Sequence, residues 1–185
     1  MTQIPLLIFI YAFVFSACSP MSEIQLESST DYNGGFEHSK HELPYNWYFY
    51  TPKTVKKSDF TISLDQNVFK EGKQSIHFFV EKCSQIGGHL SPGFSQEFSI
   101  KADKNYSIQF WIKNKGCQIS AKLGQITAKT GVYKELKMNK NNNEWELYTL
   151  NFQSKKTEKS SKLRFEFNVL SGGECWVDGI EFNSL

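Results

Sequence analysis

The residues able to do chemistry in this chain are few, and their spacing narrows what that chemistry is. His38 and His41 stand beside Glu37 and Glu42, but no further Cys or His follows at zinc spacing, so they read as solvated polar surface. No Gly-x-Ser-x-Gly turn, glycine-rich phosphate loop or Cys–His grouping occurs, so a non-catalytic role is expected. What remains is binding chemistry. Trp47, Tyr48, Phe49 and Tyr50 lie between Pro44 and Pro52, which argues for a loop or short edge strand. Gln118, Ser120 and Lys122 share one alternation parity, as do Thr149 and Asn151. Ring planes suit an apolar ligand face, and amide, hydroxyl or ammonium groups suit a rim of hydroxyls; a sugar has both. The expectation is that Trp47 and Tyr50 stack, that Gln118, Lys122 and Asn151 hydrogen-bond, and that Tyr133 adds a third ring. The competing use of Trp47 is as a lid over the core, since large aromatics are mostly buried.

The elements that must hold these groups are strands. Leu163, Phe165, Phe167 and Val169 alternate with Arg164, Glu166 and Asn168, the period of two of a half-buried strand. Ser171-Gly172-Gly173 breaks the run, and Trp176 to Phe182 is expected to return as its antiparallel hairpin partner. Like alternation marks Ile76–Val80, Phe98–Ile100, Tyr106–Ile112, Cys117–Leu123 and Tyr148–Phe152, with Ser154 to Lys162 as a charged hairpin tip. No apolar stripe at three-four spacing persists for a helix, so the expected class is all-β: two packed antiparallel sheets. Trp111 falls on the strand placed in the sheet opposite the polar groups, where burial beneath the N-terminal segment is expected.

The chain has 185 residues, 39% hydrophobic and 22% charged, enough for one domain. Its formal charge of +2, with no basic block beyond Lys56-Lys57 or Lys155-Lys156, removes nucleic acid as a leading partner. Pro5 to Ala17 is uncharged and apolar, too short for a membrane span and suited to a secretion signal. Phe15-Ser16-Ala17-Cys18 resembles the bacterial lipobox, which implies removal of residues 1–17, lipidation of Cys18 and a lipid-anchored place in the cell envelope, at the outer membrane. Residues 18–31 are polar and read as a tether, and residues 32–185 as the folded domain. Cys83 ends one strand and Cys175 begins the last, so antiparallel pairing of those strands is expected to join them in a disulfide, with Cys117 a buried thiol.

Asn33-Gly-Gly-Phe-Glu37, Gly72-Lys-Gln-Ser75, Tyr106 to Lys113, Trp145 to Phe152 and Trp176 to Phe182, in that order, resemble the galactose-binding-domain-like jelly rolls. Within them the chain is similar to carbohydrate-binding modules of the cellulose- and xylan-binding type. The resemblance implies a polysaccharide ligand, with the strands around Lys122 and Asn151 helping to line a concave face. It also implies a structural calcium held by Glu37 and Asp178, with carbonyls from the Glu71–Lys73 turn. Asp178 shares parity with Trp176, Ile180 and Phe182, an awkward place for a bare carboxylate, which a metal, a Lys or backbone amides would relieve. The alternatives are an adhesion or assembly module that holds a protein partner on the same sandwich, and a glycan-active enzyme with two facing carboxylates.

Overall fold

The computed structural model describes residues 32–126, 132–154 and 161–185. The expected signal, tether and Cys18 lie outside the described residues, as does Lys155-Lys156. Twelve strands follow one another, joined by turns: β1 (Ser39–Lys40), β2 (Leu43–Pro44), β3 (Tyr48–Tyr50), β4 (Asp59–Asp65), β5 (Ser75–Lys82), β6 (Gly93–Ile100), β7 (Asn105–Lys115), β8 (Ile119–Ile126), β9 (Val132–Met138), β10 (Asn142–Gln153), β11 (Ser161–Val169) and β12 (Gly173–Ser184). A 3-10 turn, Gly88–Leu90, lies between β5 and β6. Ten strands form two antiparallel sheets of five. The first runs β10-β7-β12-β5-β4 and the second β3-β6-β11-β8-β9, while β1 and β2 make a small ribbon.

The all-β sandwich expected from the alternation is what the chain adopts, because each alternating run buries one face. Leu163, Phe165, Phe167 and Val169 of β11 and Ile108, Phe110 and Ile112 of β7 are fully buried in one core. Phe94 stacks on Phe167 at 5.0 Å between ring centroids, and Phe98 on Phe182 at 4.3 Å. Burying a side chain of this size stabilises by roughly 1.5–3 kcal/mol.

Two expectations about pairing do not hold. β11 and β12 are not a hairpin: β11 sits between β6 and β8, and β12 between β7 and β5, so the Ser171-Gly172-Gly173 break carries the chain across the core to the other sheet. β10 and β11 are likewise in different sheets and do not pair as the hairpin expected around Ser154 to Lys162, most of which lies outside the described residues. The parity of β12 also changes along its length. Cys175 and Val177 point into the core, which puts Trp176 and Asp178 on the outer side. A register shift between Asp178 and Glu181, with Gly179 at φ 54°, restores Ile180 and Phe182 to the core. A bulge inserts a residue and reverses the faces beyond it.

The expected Cys83–Cys175 bridge is not formed. Cys175 lies opposite Phe78 on β5, and the pairing of β5 with β12 runs only as far as Val80 and Gly173, so Cys83 falls beyond it.

Candidate functional site

The sandwich has two outer faces, and their rings are treated differently. On the first sheet, Lys70 Nζ, from the turn before β5, sits 4.1 Å from the ring centroid of the half-buried Trp111. The N-terminal segment expected over that ring lies, up to residue 31, outside the described residues. Trp176 stacks on His77 at 4.6 Å, lies beneath Lys115 Nζ at 4.9 Å and donates its Nε1–H to Asp65 Oδ2 at 2.9 Å. Burial lowers the pKa of His77, which favours the neutral imidazole against that indole. These rings are occupied by the protein's own cations and imidazole.

The second sheet presents an open polar face, and its register fixes the rows. Tyr48, Ser95, Glu166, Lys122 and Glu135 form one row across β3, β6, β11, β8 and β9. Tyr50, Gly93, Asn168, Ser120 and Lys137 form the row on one side of it, and Glu97, Arg164, Gly124 and Tyr133 the row on the other. At the β3 edge, Tyr48, Tyr50, His89, Ser95, Gln96, Glu97 and Arg164 line a depression of about 500 Å³. Tyr48 is 62% exposed and stands edge-to-face against Tyr50 at 5.6 Å. Tyr50 is only 5% exposed; its hydroxyl donates to Glu166 Oε2 at 2.9 Å, and burial, with Glu166 adding to it, pushes its pKa up to about 12.

The charges on this face are tied to one another. Glu97 accepts from Arg164 Nη2 at 2.7 Å and from Lys162 Nζ at 3.1 Å, and these donors hold its carboxyl below the usual range. Glu135 accepts the Ser120 hydroxyl at 2.7 Å and lies between Lys122 Nζ at 4.0 Å and Lys137 Nζ at 3.9 Å. Asn168 is buried and clamps the 3-10 turn that carries His89: its Oδ1 accepts Gly88 N–H at 2.8 Å, and its Nδ2 donates to the Gly88 carbonyl at 3.0 Å. Ser91 Oγ accepts Gly87 N–H at 2.9 Å, so the turn is held at two points. The result is a rigid strip of donors and acceptors with one exposed ring at its edge.

The residues expected at the site are divided by the fold. Tyr50 and Lys122 are on this face, and the register of Tyr133 opposite Gly124 places its position in the Glu97–Arg164 row. Trp47 is not; it is 7% exposed, packs on Phe94 at 5.2 Å and Phe36 at 5.5 Å, and donates Nε1–H to the Asn33 carbonyl at 3.0 Å. It is the lid on the core. Asn151 lies on β10, an edge strand of the opposite sheet, so it cannot act with Lys122. Gln118 precedes β8, where its N–H is bonded to Ser171 Oγ at 2.7 Å, away from the depression. Sequence reasoning missed Tyr48, Glu97, Arg164 and Glu166. The alternation through Trp47-Tyr-Phe-Tyr50 held the signal, since residues three apart on a strand face opposite ways and Tyr48 shares the face of Tyr50.

No protein-family model and no curated protein matches the sequence. Solved structures do resemble it. A structure described as CBM4 structure and function superposes with a TM-score of 0.59 at 14% identity, over 83% of this chain and 98% of that one. This chain has the jelly-roll β-sandwich fold of that structure. A cyclase from Fischerella sp. TAU, in complex with 4-(1H-indol-3-yl)butan-2-one, matches with a TM-score of 0.61 at 14% identity, over 83% of this chain and 94% of that one. The enzymatically active domain of tailspike protein 4 of bacteriophage CBA120 matches with a TM-score of 0.61 at 15% identity over 83% of this chain, but this chain spans only 21% of that one. The same sandwich fold therefore also occurs in proteins with catalytic activity.

The carbohydrate-binding-module resemblance implied calcium at Glu37 and Asp178, and both do converge on the turn before β5. They meet it through its amides. Asp178 is fully buried; its Oδ2 accepts Lys70 N–H at 2.7 Å and Glu71 N–H at 3.0 Å, and its Oδ1 accepts Gly179 N–H at 2.7 Å. Burial pushes its carboxyl up to about 6 against the pull of those donors. Glu37 Oε1 accepts Lys73 N–H at 2.9 Å. Among the described residues no group of three or more His, Cys, Asp or Glu gathers for a metal ion. The donor set does not fit calcium, which needs six to eight oxygens; N–H groups take both oxygens of Asp178 and one of Glu37.

Proposed function

We propose that this protein is a non-catalytic glycan-binding module that holds a saccharide across the outer face of its second sheet, anchored through a lipidated Cys18 in a bacterial cell envelope, at the outer membrane. The observation that carries the reading is the exposed ring of Tyr48 beside an ordered strip of Ser95, Glu97, Arg164, Glu166 and Lys122. The ring meets the apolar face of a pyranose, and the strip meets its hydroxyls with charge-assisted hydrogen bonds, which are about twice as strong as neutral ones. The strip is rigid before the ligand arrives, so little ordering entropy is lost on binding.

The same geometry argues against glycoside hydrolysis. A glycosidase needs one carboxyl kept protonated near neutral pH, whereas Glu97 is held ionised by Arg164 and Lys162. The fold's likeness to a module described by its carbohydrate-binding class supports the reading. The apolar run and Ser16-Ala17 before Cys18 support the anchor. A glycan array probed with the purified protein tests the function. Retention of a defined set of saccharides, lost in Tyr48→Ala, is the expected result; no retained glycan, or turnover of a retained one, overturns it.

A further inference from the structure

Three thiols that the binding face does not use gather at one end of the sandwich. After β7 the chain turns through Gly116 into Cys117, and the buried Asn114 braces the turn. Its Nδ2 donates to the Cys117 carbonyl at 2.9 Å, and its Oδ1 accepts Cys117 N–H at 3.0 Å. Gly116 then forms an isolated parallel bridge to Glu174. The two chains run so close there that a Cβ on Gly173 would lie 2.7 Å from the Lys115 carbonyl oxygen and 2.8 Å from Cys117 N. Asn114, which braces Cys117, is also the β7 register partner of Cys175, so the brace holds Cys117 beside the strand position of Cys175. Both side chains are fully buried in the same core cluster, and Cys117 is among the groups that act on the Cys175 thiol.

We propose that Cys117 and Cys175 are a disulfide pair, closed by thiol–disulfide exchange when the chain folds in an oxidising compartment, with Cys83 left as a free thiol. One cysteine thiolate attacks a sulfur of an oxidant disulfide, protein-borne or of low molecular weight. A mixed disulfide forms and the oxidant's other sulfur leaves to take up a proton. The second cysteine thiolate then attacks the mixed disulfide, forms the Cys117–Cys175 bond and releases the oxidant's remaining sulfur as a thiol. Two electrons and two protons pass from the cysteines to the oxidant. Burial raises the pKa of Cys175 well above its usual value, so the folded core suppresses the reactive thiolate and exchange precedes closure. Cys83 stands apart. It is half-buried, with Sγ 3.6 Å from the Val169 carbonyl oxygen, and lies beyond the paired register of β5 with β12.

The test is peptide mapping by mass spectrometry. The full chain is refolded in a reduced and oxidised glutathione mixture, alkylated without reduction and digested; the same map is made of protein secreted into an oxidising host compartment. The expected product joins the peptide carrying Cys117 to that carrying Cys175, with Cys83 alkylated, and Cys83→Ser leaves the link unchanged. Reductant is expected to lower the melting temperature by on the order of 10 °C. Cys117 and Cys175 both alkylated in the secreted and refolded protein, or either linked to Cys83 or Cys18, overturns the proposal.

Discussion

Truncating Tyr48 and truncating Trp47 are opposite experiments on adjacent residues. Tyr48 is 62% exposed, and an aromatic side chain presents roughly 150–250 Å², so about 120 Å² of it stays open to a ligand. A saccharide covers one ring face, about half of that, and at about 25 cal/mol per Å² the contact is worth ~1.5 kcal/mol, roughly tenfold in Kd. Tyr48→Ala is therefore expected to weaken glycan binding about tenfold. Its cost to folding is limited to its edge-to-face contact with Tyr50, about 0.5–1.5 kcal/mol. Trp47 fills the core between Phe36, Phe94 and Phe165 and satisfies the Asn33 carbonyl, so Trp47→Ala is expected to cost about 3–5 kcal/mol of stability. Calorimetric titration with a saccharide retained on the array measures the first effect, and urea unfolding the second. Unchanged affinity in Tyr48→Ala, or a Trp47→Ala protein that unfolds at the wild-type urea midpoint, refutes the division of this cluster into platform and lid.

Three further outcomes are expected. His77 has a lowered pKa, so the unfolded chain takes up its proton first; stability is intact above pH 6.5 and falls as pH drops below it toward the lower folded value. Glu174 and Asp65 oppose that lowering while Lys115 adds to it, and His77→Gln should flatten the loss, so parallel melting-temperature curves for variant and wild type between pH 7 and 5 would count against it. Because amides already take both oxygens of Asp178 and one of Glu37, melting in calcium and in excess chelator should coincide, and a chelator-sensitive transition that Asp178→Ala removes would restore calcium to the fold. Cys18→Ser should release the protein from membranes, with mass spectrometry of the wild type showing an acylated Cys18; unchanged partition contradicts the anchor.

The strands were legible because burial of one face writes a period of two into Leu163–Val169 and Tyr106–Ile112. Their partners were not. Alternation says which face is wet but not which strand lies alongside, and in a jelly roll chain neighbours such as β11 and β12 cross between sheets. That misplacement made Asn151 look adjacent to Lys122, whereas β5 and β12 do pair antiparallel and only their register keeps Cys83 from Cys175. The parity of Asp178 misled for a local reason: the bulge at Gly179 reverses the faces, and glycine at that point was the visible hint. Of the site, Tyr50 and Lys122 were found by type and parity. Glu97, Arg164 and Glu166 were passed over because charged residues on an alternating strand look like ordinary solvated surface until the register shows them in neighbouring rows.

β12, the last strand of the chain, is an interior strand of the first sheet, hydrogen-bonded to β7 on one side and to β5 on the other. Until it is in place, β4 and β5 have no connection to β7 and β10, and neither half can cover the core. Most of the pairings of the two sheets join segments distant in sequence, which slows the search. Loss of β12 would remove the seam between two half-sheets.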